Sequence, residues 1–115
     1  MYYIMKKINA ITKPTKKEIK KIEKKEIKRK DEEWKLKVFK KYGKRCIITG
    51  STKKIQIHHM LPKKAYPQLR WVVENGVPLT QSIHFRIEKL KQWDYIYQII
   101  IKRGLAWLRK LRKKL

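Results

Sequence analysis

Thirty-three lysines and arginines stand against nine aspartates and glutamates in 115 residues, a net charge of +24. Whatever this chain folds into must leave most of those charges in water, because self-repulsion opposes a compact state. The length allows one modest core, with a helical arm at one or both ends. Hydrophobic residues still make up 42% of the sequence and include four Trp and six Tyr. That is too apolar for a disordered polycation. A surface this basic calls for a polyanionic partner, DNA or RNA first and an anionic membrane surface second.

Cys46 is the single cysteine, so an intrachain disulfide and a four-cysteine zinc site are both excluded. A reducing, cytoplasmic location is the natural expectation. The N-terminus reads Met1-Tyr2-Tyr3-Ile4-Met5 and then Lys6-Lys7, whereas a signal peptide places its charges before a longer apolar run. No stretch approaches the ~20 apolar residues of a membrane span. The expectation is therefore a soluble protein without a membrane partner.

Three stretches differ in pattern, and the fold class they suggest is α+β. Residues 1–30 form a lysine-rich helical arm. Ten of the residues from Lys13 to Lys30 are basic and three acidic. Thr15-Lys16-Lys17-Glu18, directly after Pro14, has the form of a capping box that starts a helix. Ile19, Ile22 and Ile27 give this helix only a thin apolar stripe, so it is expected to lie along phosphates rather than pack. In residues 31–90, Asp31 is placed to cap a second helix, with Glu32 and Glu33 in its first turn. Trp34, Val38 and Tyr42 fall at four-residue spacing and face a core, and Gly43 ends that helix. Arg45–Thr49 reads as a short strand, followed by a Gly50-Ser51 turn. A second strand carries Ile55 and Ile57 and ends near His58. Next come a loop holding Pro62 and Pro67, a Glu74-Asn75-Gly76 turn, an extended Val77-Pro78-Leu79, and a helix capped by Ser82 that runs to about Leu90. Residues 91–115 read as a basic amphipathic helix with a break near Gly104. Ile101, Leu105, Leu108, Leu111 and Leu115 share one face, and Lys102, Arg109, Lys110 and Lys113 occupy others. Docking on the small core is the expected role of this helix; contact with DNA or a membrane surface is the alternative.

All three histidines lie within 27 residues, together with a turn asparagine. The stretch Cys46-Ile-Ile-Thr-Gly50, then Ile57-His58-His59-Met60-Leu61-Pro62, then Glu74-Asn75-Gly76-Val77-Pro78-Leu79-Thr80 and His84 resembles an HNH endonuclease of the phage or mobile-element type. The resemblance covers roughly residues 31–90, with His59, Asn75 and His84 at the three eponymous positions. Fifteen residues separate the first pair and eight the second. It implies a small ββα-metal core with flanking basic helices at both ends, and hydrolysis of DNA phosphodiester bonds by nicking or double-strand cleavage. It also implies roles: His58 and His84 as metal ligands, His59 as general base, and Asn75 as the brace of the loop holding that base. Glu88, one helical turn after His84, could add a carboxylate ligand or form a surface ion pair with a lysine such as Lys91. Lys63, Arg70 and Arg86 are candidates for phosphate contacts.

The chain departs from the family's structural-zinc pattern. Thr49, Thr80 and Ile83 stand where the other cysteines of two Cys-x-x-Cys pairs would be, and one thiolate cannot hold a structural zinc alone. Apolar packing by Ile47, Ile55, Ile57, Leu79, Ile83 and Ile87 must replace it, with Cys46 as a small buried hydrophobe. The expected cofactor is one divalent ion. Imidazole suits zinc, nickel, cobalt or manganese, whereas magnesium prefers oxygen ligands. The implied partners are DNA and either a second copy of the chain or phage packaging or recombination proteins, in the host cytoplasm if the gene is a phage's. A cationic membrane-active protein is suggested only by the C-terminal helix, and two further readings compete with the enzyme. One is a non-catalytic nucleic-acid-binding module on an HNH scaffold. The other is a basic RNA-binding protein of ribosomal type, in which the histidine arrangement is accidental.

Overall fold

A computed structural model describes residues 13–115; the apolar start and Lys6-Lys7 lie outside the described residues, as does the first part of the lysine-rich arm. The architecture is α+β: helices around a two-stranded antiparallel sheet. The chain divides into two compact units, residues 1–31 and residues 32–115.

Helix α1 spans Lys16–Tyr42 and starts at the expected capping box. Thr15 Oγ1 accepts from the Glu18 N–H, and Glu18 Oε2 accepts from the Thr15 N–H, both at 3.2 Å. No second helix begins at Asp31, because α1 passes through it unbroken. No glycine or proline interrupts the run, and lysine–glutamate pairs one turn apart, such as Lys37–Glu33 at 3.2 Å, favour continuation. Gly43 ends the helix at φ +86°, a left-handed conformation open to glycine.

The expected strand at Arg45–Thr49 is a turn instead. The Gly50 N–H bonds to the Cys46 carbonyl at 2.9 Å, the Thr49 N–H approaches Cys46 Sγ at 3.5 Å, and Gly50 takes φ +76°. The strands are β1, Ile55–His59, and β2, Gly76–Thr80, paired from Ile55–Thr80 to His59–Gly76. Residues 60–75 join them through two 3-10 turns, Pro67–Leu69 and Val73–Asn75.

Helix α2, Gln81–Glu88, follows β2 directly. Thr80, not Ser82, caps it: Thr80 Oγ1 accepts from the Ile83 N–H at 3.3 Å, because the last residue of β2 already has the extended backbone a cap needs. Helices α3, Asp94–Arg103, and α4, Leu105–Arg112, are separated by Gly104 at φ +92°. That break resets the helical phase, so the expected common stripe divides. Leu111 is fully buried, while Ile101 is 78% and Leu105 59% exposed. Among the described residues no helix is long and apolar enough to cross a membrane.

The core gathers Leu69, Val77, Leu79, Ile83, Ile87, Ile99, Trp107 and Leu111 around Cys46. Of the expected packing residues, Leu79, Ile83 and Ile87 are buried, and Ile47 and Ile55 pack on them from the edge. Trp34 and Val38 are buried on α1 and close on Gly76 of β2. A Cβ at Gly76 would lie 2.5 Å from Val38 Cγ2 and 2.9 Å from Trp34 Cζ2. Gly76→Ala is therefore expected to destabilise the fold by about 1–3 kcal/mol through overpacking, read as a lower denaturation midpoint. Val38→Ala in the same chain should recover part of the loss.

Candidate metal centre

Side chains on a strand alternate between faces, so Gln56 and His58 share one face of β1. Helix α2 packs there and presents His84 and Glu88 one turn apart. One ligand atom from each of His58, His84 and Glu88 lies within 4.8 Å of the other two. The histidine rings meet edge to face, 5.4 Å between centroids. Glu88 Oε1 stands 3.1 Å from His58 Nδ1 and 3.6 Å from His84 Nε2. Two ligands of one ion at ~2.2 Å lie at most about 4.4 Å apart, so a small closure brings all three onto a single cation. Three protein ligands also leave coordination positions for water or substrate.

The donor set fits a cation in a second respect. His58 is 5% exposed, and its Nδ1 is buried without a hydrogen-bond partner. The nearest charged oxygen is Glu88 Oε1, at 3.1 Å. An orphaned imidazole nitrogen facing a carboxylate and a second imidazole is a lone pair suited to a metal ion. Burial, and then the neighbouring His84, push the His58 pKa down to about 4, against the opposing pull of the Glu88 carboxylate. Burial also lowers His84, again opposed by Glu88. Both rings are thus held neutral, the form that ligates metal.

His84 is oriented by a residue that the sequence does not single out. Its Nδ1 lies 2.8 Å from Gln56 Oε1. An amide oxygen only accepts, so Nδ1 carries the proton and Nε2 keeps the lone pair on the side of Glu88. The available signal was the same-face spacing of Gln56 and His58. The link to His84, 28 residues away, appears only once β1 and α2 pack.

His59 leaves β1 on the other face. Its ring stacks on Trp34, with centroids 4.3 Å apart and planes at 12°, and its Nε2 lies 3.0 Å from the Arg70 carbonyl. That bond places the ring proton on Nε2 and makes Nδ1 the basic nitrogen of the neutral ring. His59 is not among the three clustered ligands, although a charge on it is felt at His58.

Asn75 is fully buried. Its Oδ1 accepts from the Leu61 N–H at 2.7 Å, and its Nδ2 donates to the carbonyls of Leu61 at 2.9 Å and Leu69 at 3.1 Å. It ties together the two ends of the loop whose next residue, Arg70, accepts the His59 bond. Lys63 and Arg86 are exposed, Arg86 on α2. The Arg70 guanidinium lies 5.8 Å from the Trp71 ring centroid. No protein-family model, curated protein or solved structure matches the chain.

Two outcomes follow from this geometry. Gln56→Ala should weaken transition-metal binding by about 10–100-fold, as loss of a partner that orients a ligand does, and His58→Ala with His84→Ala should abolish it in calorimetric titration. In metal-free protein, the depressed His58 pKa means that the unfolded chain binds more protons between pH 4 and 6.5. Stability is then full above about pH 6.5 and falls as the pH drops towards 4, with a slope approaching about 1.4 kcal/mol per pH unit. Urea unfolding across that window checks this, and His58→Asn should flatten the slope.

Proposed function

We propose that the chain is a metal-dependent HNH (ββα-metal) endonuclease that hydrolyses DNA phosphodiester bonds. The observation that carries this reading is the convergence of His58, His84 and Glu88 from a strand and the helix that follows its partner strand. Two further features support it: Asn75 bracing the loop between the strands, and the proton-accepting nitrogen of His59 defined by the Arg70 carbonyl. The +24 charge supplies attraction for a polyanion. A divalent ion on His58, His84 and Glu88 would supply Lewis acidity at the scissile phosphate and stabilise the leaving oxyanion. Zinc, manganese, nickel or cobalt suits two imidazoles and a carboxylate better than magnesium does.

In this mechanism His59 takes a proton at Nδ1 from the attacking water. The Arg70 carbonyl fixes its tautomer and the Trp34 ring its plane, so little reorientation is needed as the proton arrives. His59 leaves the strand on the face opposite His58, so it can serve a phosphate at the metal only around the end of β1, which falls at His59 itself. Lys63, Arg70 and Arg86 hold flanking phosphates, and the lysine-rich arm adds affinity that is indifferent to sequence.

One observation favours a second reading, a nucleic-acid-binding module without cleavage. A histidine stacked on Trp34 and bonded to a carbonyl can serve packing alone. Cleavage of supercoiled plasmid with and without manganese, zinc, nickel or cobalt separates the two. Wild type should cut only with metal. His59→Ala should bind metal and DNA nearly as wild type at equal salt, yet cleave about 10²–10⁴-fold more slowly. Wild type that never cuts, together with a His59→Ala variant that only loses stability, would favour the binding module.

A further inference from the structure

Arg103, the last residue of α3, holds its guanidinium against two aromatic rings, 3.5 Å from the Tyr42 centroid and 5.0 Å from that of Trp107. Its Nε, Nη1 and Nη2 are buried, and none has a hydrogen-bond partner. Among the described residues no carboxylate is paired with it. Burial lowers its pKa to about 10, which leaves it fully protonated at neutral pH. The rings offset part of the cost by cation–π attraction, but they leave its N–H donors unsatisfied. A buried charge without a counter-ion is rare enough to require an explanation.

Arg103 is also one of the residues that line a cavity of about 460 Å³ between the Cys46–Gly50 turn, β2 and the end of α3, with its guanidinium nitrogens buried behind the surface. Arg45 and Lys102, both exposed, also line this cavity, as do Ile48 and Pro78, and no acidic residue does. None of these residues belongs to the His58–His84–Glu88 cluster.

We propose that this cavity binds a phosphate-bearing group of nucleotide size, with Arg103 as its buried counter-charge. Arg45 and Lys102 meet the phosphate oxygens at the mouth, and the field of Arg103 acts from the floor. Arginine is suited to this, being weakly hydrated, permanently charged and shaped to fit phosphate. Ile48 and Pro78 offer an apolar wall to a sugar or base, and the volume falls within the ~300–1,000 Å³ range of small-ligand pockets. The phosphate is presented either by a nucleic-acid backbone or by a free nucleotide. The site is independent of the nuclease reading, since it shares no residue with the metal cluster.

The test is calorimetric titration of the full chain, at constant ionic strength with a chelator present, using a thymidine dinucleotide, 5′-adenosine monophosphate and inorganic phosphate as separate probes. Wild type should show saturable single-site binding to at least one probe and a rise in Tm with it. Binding should weaken at least tenfold in the exposed-site double variant Arg45→Gln, Lys102→Gln, and stay unchanged in Arg109→Gln, Lys110→Gln, which removes the same charge elsewhere. Arg103→Met should lose binding yet melt no lower than wild type without ligand, because the uncompensated charge is gone. A dinucleotide that binds while both monoesterified and inorganic phosphate fail assigns the group to a nucleic-acid backbone; the reverse assigns it to a free nucleotide. No saturable binding to any probe, or equal weakening in both double variants, overturns the proposal. So does an Arg103→Met chain that melts lower by the same amount with and without ligand, which marks Arg103 as a packing clamp.

Discussion

The buried amide of Asn75 directs all three of its hydrogen bonds at backbone, taking the Leu61 N–H and giving to the Leu61 and Leu69 carbonyls. An amide left unsatisfied in this position costs about 1–3 kcal/mol for each lost partner, so the loop between the strands has one low-energy shape. Two tryptophans reinforce it. The Trp34 indole N–H donates to the Val72 carbonyl and that of Trp107 to the Glu74 carbonyl, each at 2.8 Å. Three polar side chains thus hold residues 61–75, although much of that segment has no regular structure. The end of β1, the Arg70 carbonyl and therefore the orientation of His59 all depend on this brace.

The metal cluster depends on the same segment less directly. The loop sets where β1 ends and how it pairs with β2, from Ile55–Thr80 to His59–Gly76. That register puts Gln56 and His58 on the face that α2 covers. A slip of one residue would exchange His58 for His59 at the cluster and bury the wrong ring. Gly76 guards the register, since only a residue without a side chain fits between β1's last paired position and the Trp34–Val38 surface of α1.

Much of this was legible in the sequence, and what was not has physical reasons. Gly43 and Gly104 punctuate the helices where expected, because a left-handed backbone position is a property of one residue. The capping box at Thr15–Glu18 is equally local. His58, His84 and Glu88 come within 4.8 Å of one another; the resemblance implied the two histidines, and i, i+4 spacing offered Glu88 as either a ligand or the partner of a surface lysine. The misread segments are those whose conformation composition alone does not decide. Cys46–Gly50 has the composition of a strand, but its sulfur and carbonyl are used within the segment, so a turn forms. Asp31 looks like a cap but lies inside a helix that nothing interrupts. Nothing in the local sequence singles out Gln56 or Arg103. One gains its role from a histidine 28 residues away, and the other from the ring of Tyr42, which no local pattern foretells.

The account rests on His58, His84 and Glu88 forming one metal centre. Pulsed electron paramagnetic resonance of the full chain loaded with one equivalent of manganese(II) addresses it directly. Directly bound imidazole nitrogens should modulate the signal, with contributions from both His58 and His84 and one lost in each single alanine variant. A spectrum of hydrated manganese(II) that neither substitution alters would contradict the account.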